Sequence, residues 1–383
     1  MLSCFYYKAC FQLYNLLTLC QWYDTVLVMN TQKTVFVGLS GGVDSSVAAL
    51  RLINDGYNVV GVFIKVWHPD FMVCNWEQER LDAMRVAAHL DIPFLTCDAE
   101  AEYRDEVAKV FIDEYRQGRT PNPDVMCNQH VKFGAFLRFA EAKGADCIAT
   151  GHYAQNIANK NGDAELHRGI DTNKDQTYFL WTLSNAQLEK SMFPVGNTDK
   201  EEIRKEANVA GIPTAQKKDS QGICFLGHVD IPEFLSHYID LVPGNVLNIK
   251  GDIVGSHQGA LVYTLGQRHG FSITTKDNAR TALFVIERDI DKNTITVDTA
   301  PKRSTADADT IELCKILLRC DLQLGENIDV QYRYRQKFFS ANVTLITDDR
   351  MSIKPTETFE QPAIGQSCVL YRGMHCIGGG IVT

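Results

Sequence analysis

Six consecutive residues, Ser40-Gly-Gly-Val-Asp-Ser45, combine two glycines, two hydroxyls and a carboxylate. Gly41 and Gly42 permit positive φ and close approach of the backbone to a ligand. Ser45 and Ser46 stand where a helix N-terminus takes hydroxyl caps. Successive backbone N–H groups and the positive end of a helix dipole make such a turn an anion cradle. The lysine of a Walker A loop is missing, which argues against a kinase or GTPase grip on a γ-phosphate. A plain βα turn rich in small residues is the competing interpretation.

Two cysteines suggest a second chemistry. In Gly118-Arg-Thr-Pro-Asn-Pro-Asp-Val-Met-Cys127 two prolines stiffen a loop that presents Asp124 and Cys127 in a fixed relation. A carboxylate there can serve as a base, and a thiolate needs nearby positive charge or a helix N-terminus. A helix expected to open at Cys127 and run through 131–143 would supply the latter. Taken alone, Cys127 reads equally well as a half-buried structural residue. Cys224 follows two lysines in Lys217-Lys-Asp-Ser-Gln-Gly-Ile-Cys224, an electropositive turn that favours thiolate.

The elements that must hold these residues alternate between strand and helix. Strands are expected at 34–39, 57–65, 93–97 and 145–150, with helices at 47–52, 78–90, 102–117 and 131–143. This is an α/β pattern of a doubly wound parallel sheet, whose ligands sit at the carboxyl ends of the strands. Ile64 is placed there to line an adenine pocket, and Gly151 and His152 follow the last strand. Beyond residue 228 short β-type runs between turn signals predict a small C-terminal β-barrel after a glycine-rich middle segment. The expected division is an extension over 1–30, a catalytic domain over 31–225, a middle domain over 226–305 and a barrel over 306–383.

At 383 residues the chain is long enough for two or three domains, and its 45% hydrophobic content is that of a globular protein. The net charge of −9 means that any nucleic acid must meet a local basic patch. Twelve cysteines without one C-x-x-C pair argue against a zinc ribbon and suggest a reducing compartment. Residues 1–30 are apolar and aromatic with Lys8 as the one early positive charge, a poor match to a signal or transit peptide. No uninterrupted apolar run reaches the length of a membrane span. The expected location is cytoplasmic, or an organelle matrix if 1–30 is a targeting segment.

Ser40-Gly-Gly-Val-Asp-Ser45 resembles the PP-loop of ATP pyrophosphatases, which cut ATP between its α- and β-phosphates. Together with Gly118 to Cys127, Ala149-Thr-Gly-His-Tyr153, Lys174-Asp-Gln-Thr-Tyr178, Asp219-Ser-Gln-Gly-Ile-Cys-Phe225, Tyr263-Thr-Leu-Gly-Gln-Arg268 and Arg333-Tyr-Arg-Gln336, it forms an ordered series similar to that of the tRNA-specific 2-thiouridylases. The resemblance implies ATP and Mg2+ as cofactors, with Asp44 the place for the magnesium ion and no separate protein-bound metal centre. It implies ATP contacts from Gly38, Leu39, Ser40, Gly41, Gly42, Val43, Asp44, Ser45, Ile64 and Gly151.

It further implies that the C2 carbonyl of the wobble uridine in tRNAs for lysine, glutamate and glutamine is adenylated and then thiolated. Cys224 would carry persulfide sulfur from a sulfur-carrier protein or cysteine desulfurase. Cys127 would be the second thiol, leading to hydrosulfide or to a Cys127–Cys224 disulfide, and Asp124 the acid/base group. Asn122, Pro123 and Asp124 would touch the target base, and His152, Lys174, Asp175, Gln176, Arg333, Tyr334 and Gln366 the tRNA. His152 and Tyr334 are candidates for stacking, and Arg333, Arg335, Lys337, Lys217 and Lys218 for phosphate contacts. The sequence departs from the family pattern at Ile64, commonly Met, and at Gln221, commonly Thr.

Overall fold

The computed structural model describes residues 32–72, 76–218, 224, 230–274, 282–304 and 310–383. The expected extension over 1–30 lies outside these residues, as do Gln221 and most of the motif around Cys224. Five parallel strands form the first sheet: β1 (Thr34–Gly38), β2 (Asn58–Lys65), β3 (Phe94–Asp98), β4 (Cys147–Ala149) and β7 (Ser191–Met192), in the order β3-β2-β1-β4-β7. Alternation along β1 decides what covers each face. Val35, Val37 and Leu39 join the core under α1 (Val43–Asn54) and α2 (Trp76–His89), while Phe36 joins the opposite core with Phe133, Phe136 and Cys127. Each large side chain buried this way contributes about 1.5–3 kcal/mol.

The opposite face is covered by two long helical runs. The first, α3, joins Glu100–Glu102, π-helical Tyr103–Ala108 and Lys109–Arg116. The second, α4, joins Pro123–Met126, π-helical Cys127–Ala135 and Phe136–Ala142. The expected helix therefore starts a turn earlier than Cys127. The reason is local: Asn122 caps the helix by accepting from the N–H groups of Asp124 (3.1 Å) and Val125 (3.2 Å), and Pro123 suits the first helical position. A hairpin, β5 (Ala154–Ala158) and β6 (Ala164–Arg168), and a helix, α5 (Lys200–Val209), complete this part.

The middle sheet contains β8 (Gly244–Leu247), β9 (Ile253–His257), β10 (Phe271–Ile273), β11 (Phe284–Asp289) and β12 (Thr294–Asp298), ordered β10-β9-β8-β12-β11. The C-terminal strands β13 (Ile311–Leu318), β14 (Asn327–Gln331), β15 (Phe339–Ile346), β16 (Arg350–Pro355), β17 (Ser367–Arg372) and β18 (His375–Val382) run β13-β16-β15-β14-β17-β18, and a β13–β18 pairing closes them into a barrel. Closure removes the sheet edges. The hairpin of the first domain attaches to this barrel where His167 of β6 pairs with His375 of β18. Among the described residues no helix is long and apolar enough to cross a membrane.

Candidate active site

The nucleotide end is built on the turn between β1 and α1. Gly41 has φ of +69°, and a Cβ there would lie 2.8 Å from Cβ of Asp82 and 3.0 Å from the backbone of α2; only glycine fits. Ser45 and Ser46 do not cap the helix as the sequence suggested. Gly42 is the N-cap residue, and both hydroxyls donate back to its carbonyl, at 3.1 and 2.8 Å. They lie three and four residues inside the helix, where that carbonyl is the nearest acceptor. Gly151, just past β4, faces the same turn: a Cβ would lie 2.6 Å from the Ser45 nitrogen and 2.7 Å from the Asp44 carbonyl carbon. Ile64 is buried at the end of β2 with its Cδ1 near Gly38.

Asp44 carries a partner that the sequence did not announce. Lys200 Nζ donates to both carboxylate oxygens, at 2.7 and 2.8 Å, and the Tyr153 hydroxyl donates to Oδ1 at 2.8 Å. Lys200 is 8% exposed, so the pair is a strong charge-assisted contact. The donor set around Asp44 fits an ammonium better than a divalent cation, and a magnesium ion at this carboxylate would have to displace Lys200. Lys217, expected at phosphates, instead pairs with Asp82 at 2.9 Å, behind Gly41.

The thiol end joins residues that are far apart in the chain. Cys127 Sγ and Cys224 Sγ are 3.5 Å apart, unbonded, with Cys127 donating. Asp124 Oδ1 accepts from the Cys224 N–H at 2.7 Å, and the Tyr103 hydroxyl donates to the Cys224 carbonyl at 3.0 Å. The carboxylate and the phenol clamp the backbone that carries Cys224. Lys132 Nζ lies 3.4 Å from His152 Nε2, and His152 Nδ1 lies 2.8 Å from Thr150 Oγ1.

Charge is distributed unevenly over this cluster. Cys127 is fully buried, and burial raises its thiol pKa well above the ordinary value. The helix start that was expected to activate it lies a turn away. Cys224 is shifted the other way, lowered by the Cys127 S–H against the opposing effect of burial, with the Lys132 ammonium adding to the effect. Burial raises Asp124, although the Cys224 N–H and Lys132 counteract it. Burial, and then Lys132, hold His152 well below the usual histidine range, so its imidazole is neutral.

The two ends are adjacent through one strand terminus. Gly151 faces the glycine turn, and His152, the next residue, meets Lys132 beside the cysteines. The loop of Asp124 is held from all sides. Thr120 N donates to Ile364 O of the barrel at 2.8 Å, Thr120 Oγ1 meets Thr264 Oγ1 at 3.1 Å, and Arg288 donates to Gly118 O.

The expected tRNA contacts separate into two kinds. Lys174, Tyr334 and Arg335 form one surface: Arg335 Nε donates to Asn173 O at 3.1 Å and lies over the Tyr334 ring, which itself packs on Phe179. Lys218 and Lys337 are exposed. Asp175 is buried and accepts from Arg168, Gly169 and Thr177, and Gln176 accepts from the Tyr153 N–H. Arg333 is spent on Glu360 and the Leu265 carbonyl, and Gln366 accepts from the Ala363 N–H. His152 is 7% exposed with both ring nitrogens engaged, so the stacking role expected of it has no open face to use.

Lys132, Lys200 and Tyr103 were not singled out by their sequence context, and Tyr153 entered only as the last residue of the Ala149–Tyr153 motif. For Lys200 a signal existed: a lysine in the first turn of α5 opposes the helix dipole. Such a local violation often marks function.

Family models match three consecutive stretches. A tRNA methyl transferase HUP domain matches 33–228, a tRNA methyl transferase PRC-barrel domain matches 232–299, and an aminomethyltransferase beta-barrel domain matches 310–382. The tRNA-specific 2-thiouridylase MnmA of Enterococcus faecalis is 44% identical over 92% of this chain and 96% of its own length. The protein of that name from Streptococcus thermophilus is 42% identical over 92% and 96%. Among solved structures, a 4-thiouridine synthetase–RNA complex with bound ATP covers 54% of this chain and 50% of its own, at 21% identity and a TM-score of 0.36, a likeness too slight to build on. On these matches, over nearly its whole length, the chain belongs to the family of tRNA-specific 2-thiouridylases.

Proposed function

We propose that this protein is an ATP-dependent sulfurtransferase that converts the wobble uridine of tRNAs for lysine, glutamate and glutamine to 2-thiouridine. The observation that supports it most is the pairing of two thiols at 3.5 Å, with Asp124 holding the backbone of one of them, beside a strand end that packs on the glycine turn. An amide-like carbonyl is a poor electrophile, which is why ATP is required. In this reading the turn from Gly38 to Ser45, with Ile64 and Gly151, binds ATP. Lys200 takes part at the phosphates. Since Asp44 is committed to Lys200 and Tyr153, no step here depends on a metal ion.

The uridine O2 attacks the α-phosphorus and pyrophosphate leaves, while Asp124 takes the N3 proton. Its raised pKa suits it to hold that proton. The terminal sulfur of a Cys224 persulfide, loaded by a sulfur-carrier protein or cysteine desulfurase, then attacks C2, and AMP departs with the electrons of the C2–O bond. Cys127 passes its proton to water as it attacks Cys224 Sγ. The S–S electrons pass to the sulfur on C2, Asp124 returns the proton to N3, and a dithiol reductant later reopens the Cys127–Cys224 disulfide. The Lys174, Tyr334 and Arg335 surface, with Lys218 and Lys337, offers phosphate and stacking contacts to the anticodon arm.

The test is a purified reaction with unmodified tRNA, ATP and a persulfide donor, followed by nucleoside mass spectrometry. Appearance of 2-thiouridine that requires ATP, Cys127 and Cys224 supports the reading. Pyrophosphate release with a small metabolite, and none with tRNA, would overturn it.

A further inference from the structure

The helix that carries Cys127 is wound in an unusual way. Residues Cys127–Ala135 are π-helical, with i→i+5 hydrogen bonding. In an α-helix the fifth residue after Cys127 would lie roughly 140° around the axis from it. A π-turn brings that residue back toward the same face, and it is Lys132. The wider winding therefore delivers an ammonium group to the thiol pair, which an α-helix of the same sequence would have directed elsewhere.

We propose that Lys132 is the cation that holds the sulfur of Cys224 in its anionic, reactive form, first as the thiolate that accepts sulfur and then as the persulfide that donates it. This rests on Cys224 being the sulfur-carrying residue. Among the described residues, the titratable groups facing Cys224 are Cys127 and Asp124 from α4, Tyr103 from α3 and Lys132 itself, whose side chain bonds to that of Cys224, with His152 behind Lys132. Tyr103 and Cys127 are both pushed up by burial and stay protonated. His152 is neutral; it accepts at Nε2 from Lys132 and gives Nδ1–H to Thr150.

Lys132 keeps its charge in this setting. Burial works against the ammonium, yet Cys224, Cys127 and Asp124 together outweigh burial and raise its pKa. The Cys127 S–H lowers the Cys224 thiol first, against burial, and the charge and contact of Lys132 add to that lowering. The arrangement orders the two thiols: the one beside the lysine carries sulfur, and the buried one waits protonated until the S–S bond must be broken.

The experiment is pH-dependent alkylation of the full-length protein with iodoacetamide, with Cys224 followed by peptide mass mapping, in wild type, Lys132→Met and Lys132→Arg. Neither tRNA nor ATP enters it, so it stands or falls separately from the thiolation reaction. The expected result is a wild-type Cys224 midpoint below the ordinary thiol value of about 8.5. Lys132→Met should move it up by about 1–3 pH units, the range for loss of a close opposite charge, and Lys132→Arg should keep it near wild type. A Lys132→Met midpoint equal to wild type in a protein of unchanged circular dichroism would overturn the proposal. So would a wild-type midpoint at or above 8.5, which requires no variant to fold.

Discussion

The glycine turn and the thiol pocket are neighbours built on opposite principles. The turn and the helix start that follows it are one short stretch, residues 38–46, whose conformation is set largely within itself, by a positive φ at Gly41 and by the Ser45 and Ser46 hydroxyls bonded to the Gly42 carbonyl. The pocket takes Tyr103 from α3, Asp124, Cys127 and Lys132 from α4, His152 from beyond β4, and Cys224 from 97 residues beyond Cys127. A local device can be read from a short stretch and is damaged by a backbone clash. An assembled one depends on long-range contacts and is damaged by loss of single side chains.

The largest expected effect separates the two directly. Cys224→Ala should reduce 2-thiouridine formation by about 10³-fold or more, as expected for a member of a cooperating catalytic set, while ATP affinity measured by calorimetry stays within twofold. Gly151→Ala should damage the nucleotide turn instead, and lose thiolation through it. Its methyl group would press on the backbone of Asp44 and Ser45, and a misplacement near 1 Å costs roughly 10²-fold. ATP binding should fall while Cys127 and Cys224 still form a disulfide on mild oxidation. If Cys224→Ala also lost ATP binding, or Gly151→Ala also lost the disulfide, the division into two devices would be wrong.

Smaller effects refine the comparison. Lys200→Met should leave the Asp44 carboxylate without its ammonium partner and cost about 2 kcal/mol of stability, read as a lower urea midpoint. Excess ATP should raise the midpoint of the variant by less than it raises that of wild type. Asn122→Ala removes the cap of α4 and should cost about 1 kcal/mol. Thiolation should fall by more than stability alone accounts for, because the cap fixes the helix that presents Asp124 and Cys127.

The same division explains what the sequence disclosed. The parallel sheet, the barrel and the glycine turn were legible because strand alternation, turn residues and glycine pairs are local signals. Cys127, Cys224 and Asp124, which the structure brings together, were marked by special loops and family resemblance. Lys132 was not, because its face depends on π-winding, and no residue type announces a π-helix. Lys200 left a signal, its place in the first turn of α5, but not its partner, because Asp44 lies in a different element. The roles expected of Ser45, Ser46 and His152 changed for a related reason: each forms a hydrogen bond whose nearest partner becomes apparent only when the helix start or the strand end is in place.

The most direct test of the central claim is a single turnover with persulfide-loaded protein, ATP and tRNA, quenched in acid and mapped by mass spectrometry without reductant. The account predicts one Cys127–Cys224 disulfide for each 2-thiouridine formed, at matching rates. Formation of 2-thiouridine while both cysteines remain free thiols would contradict it.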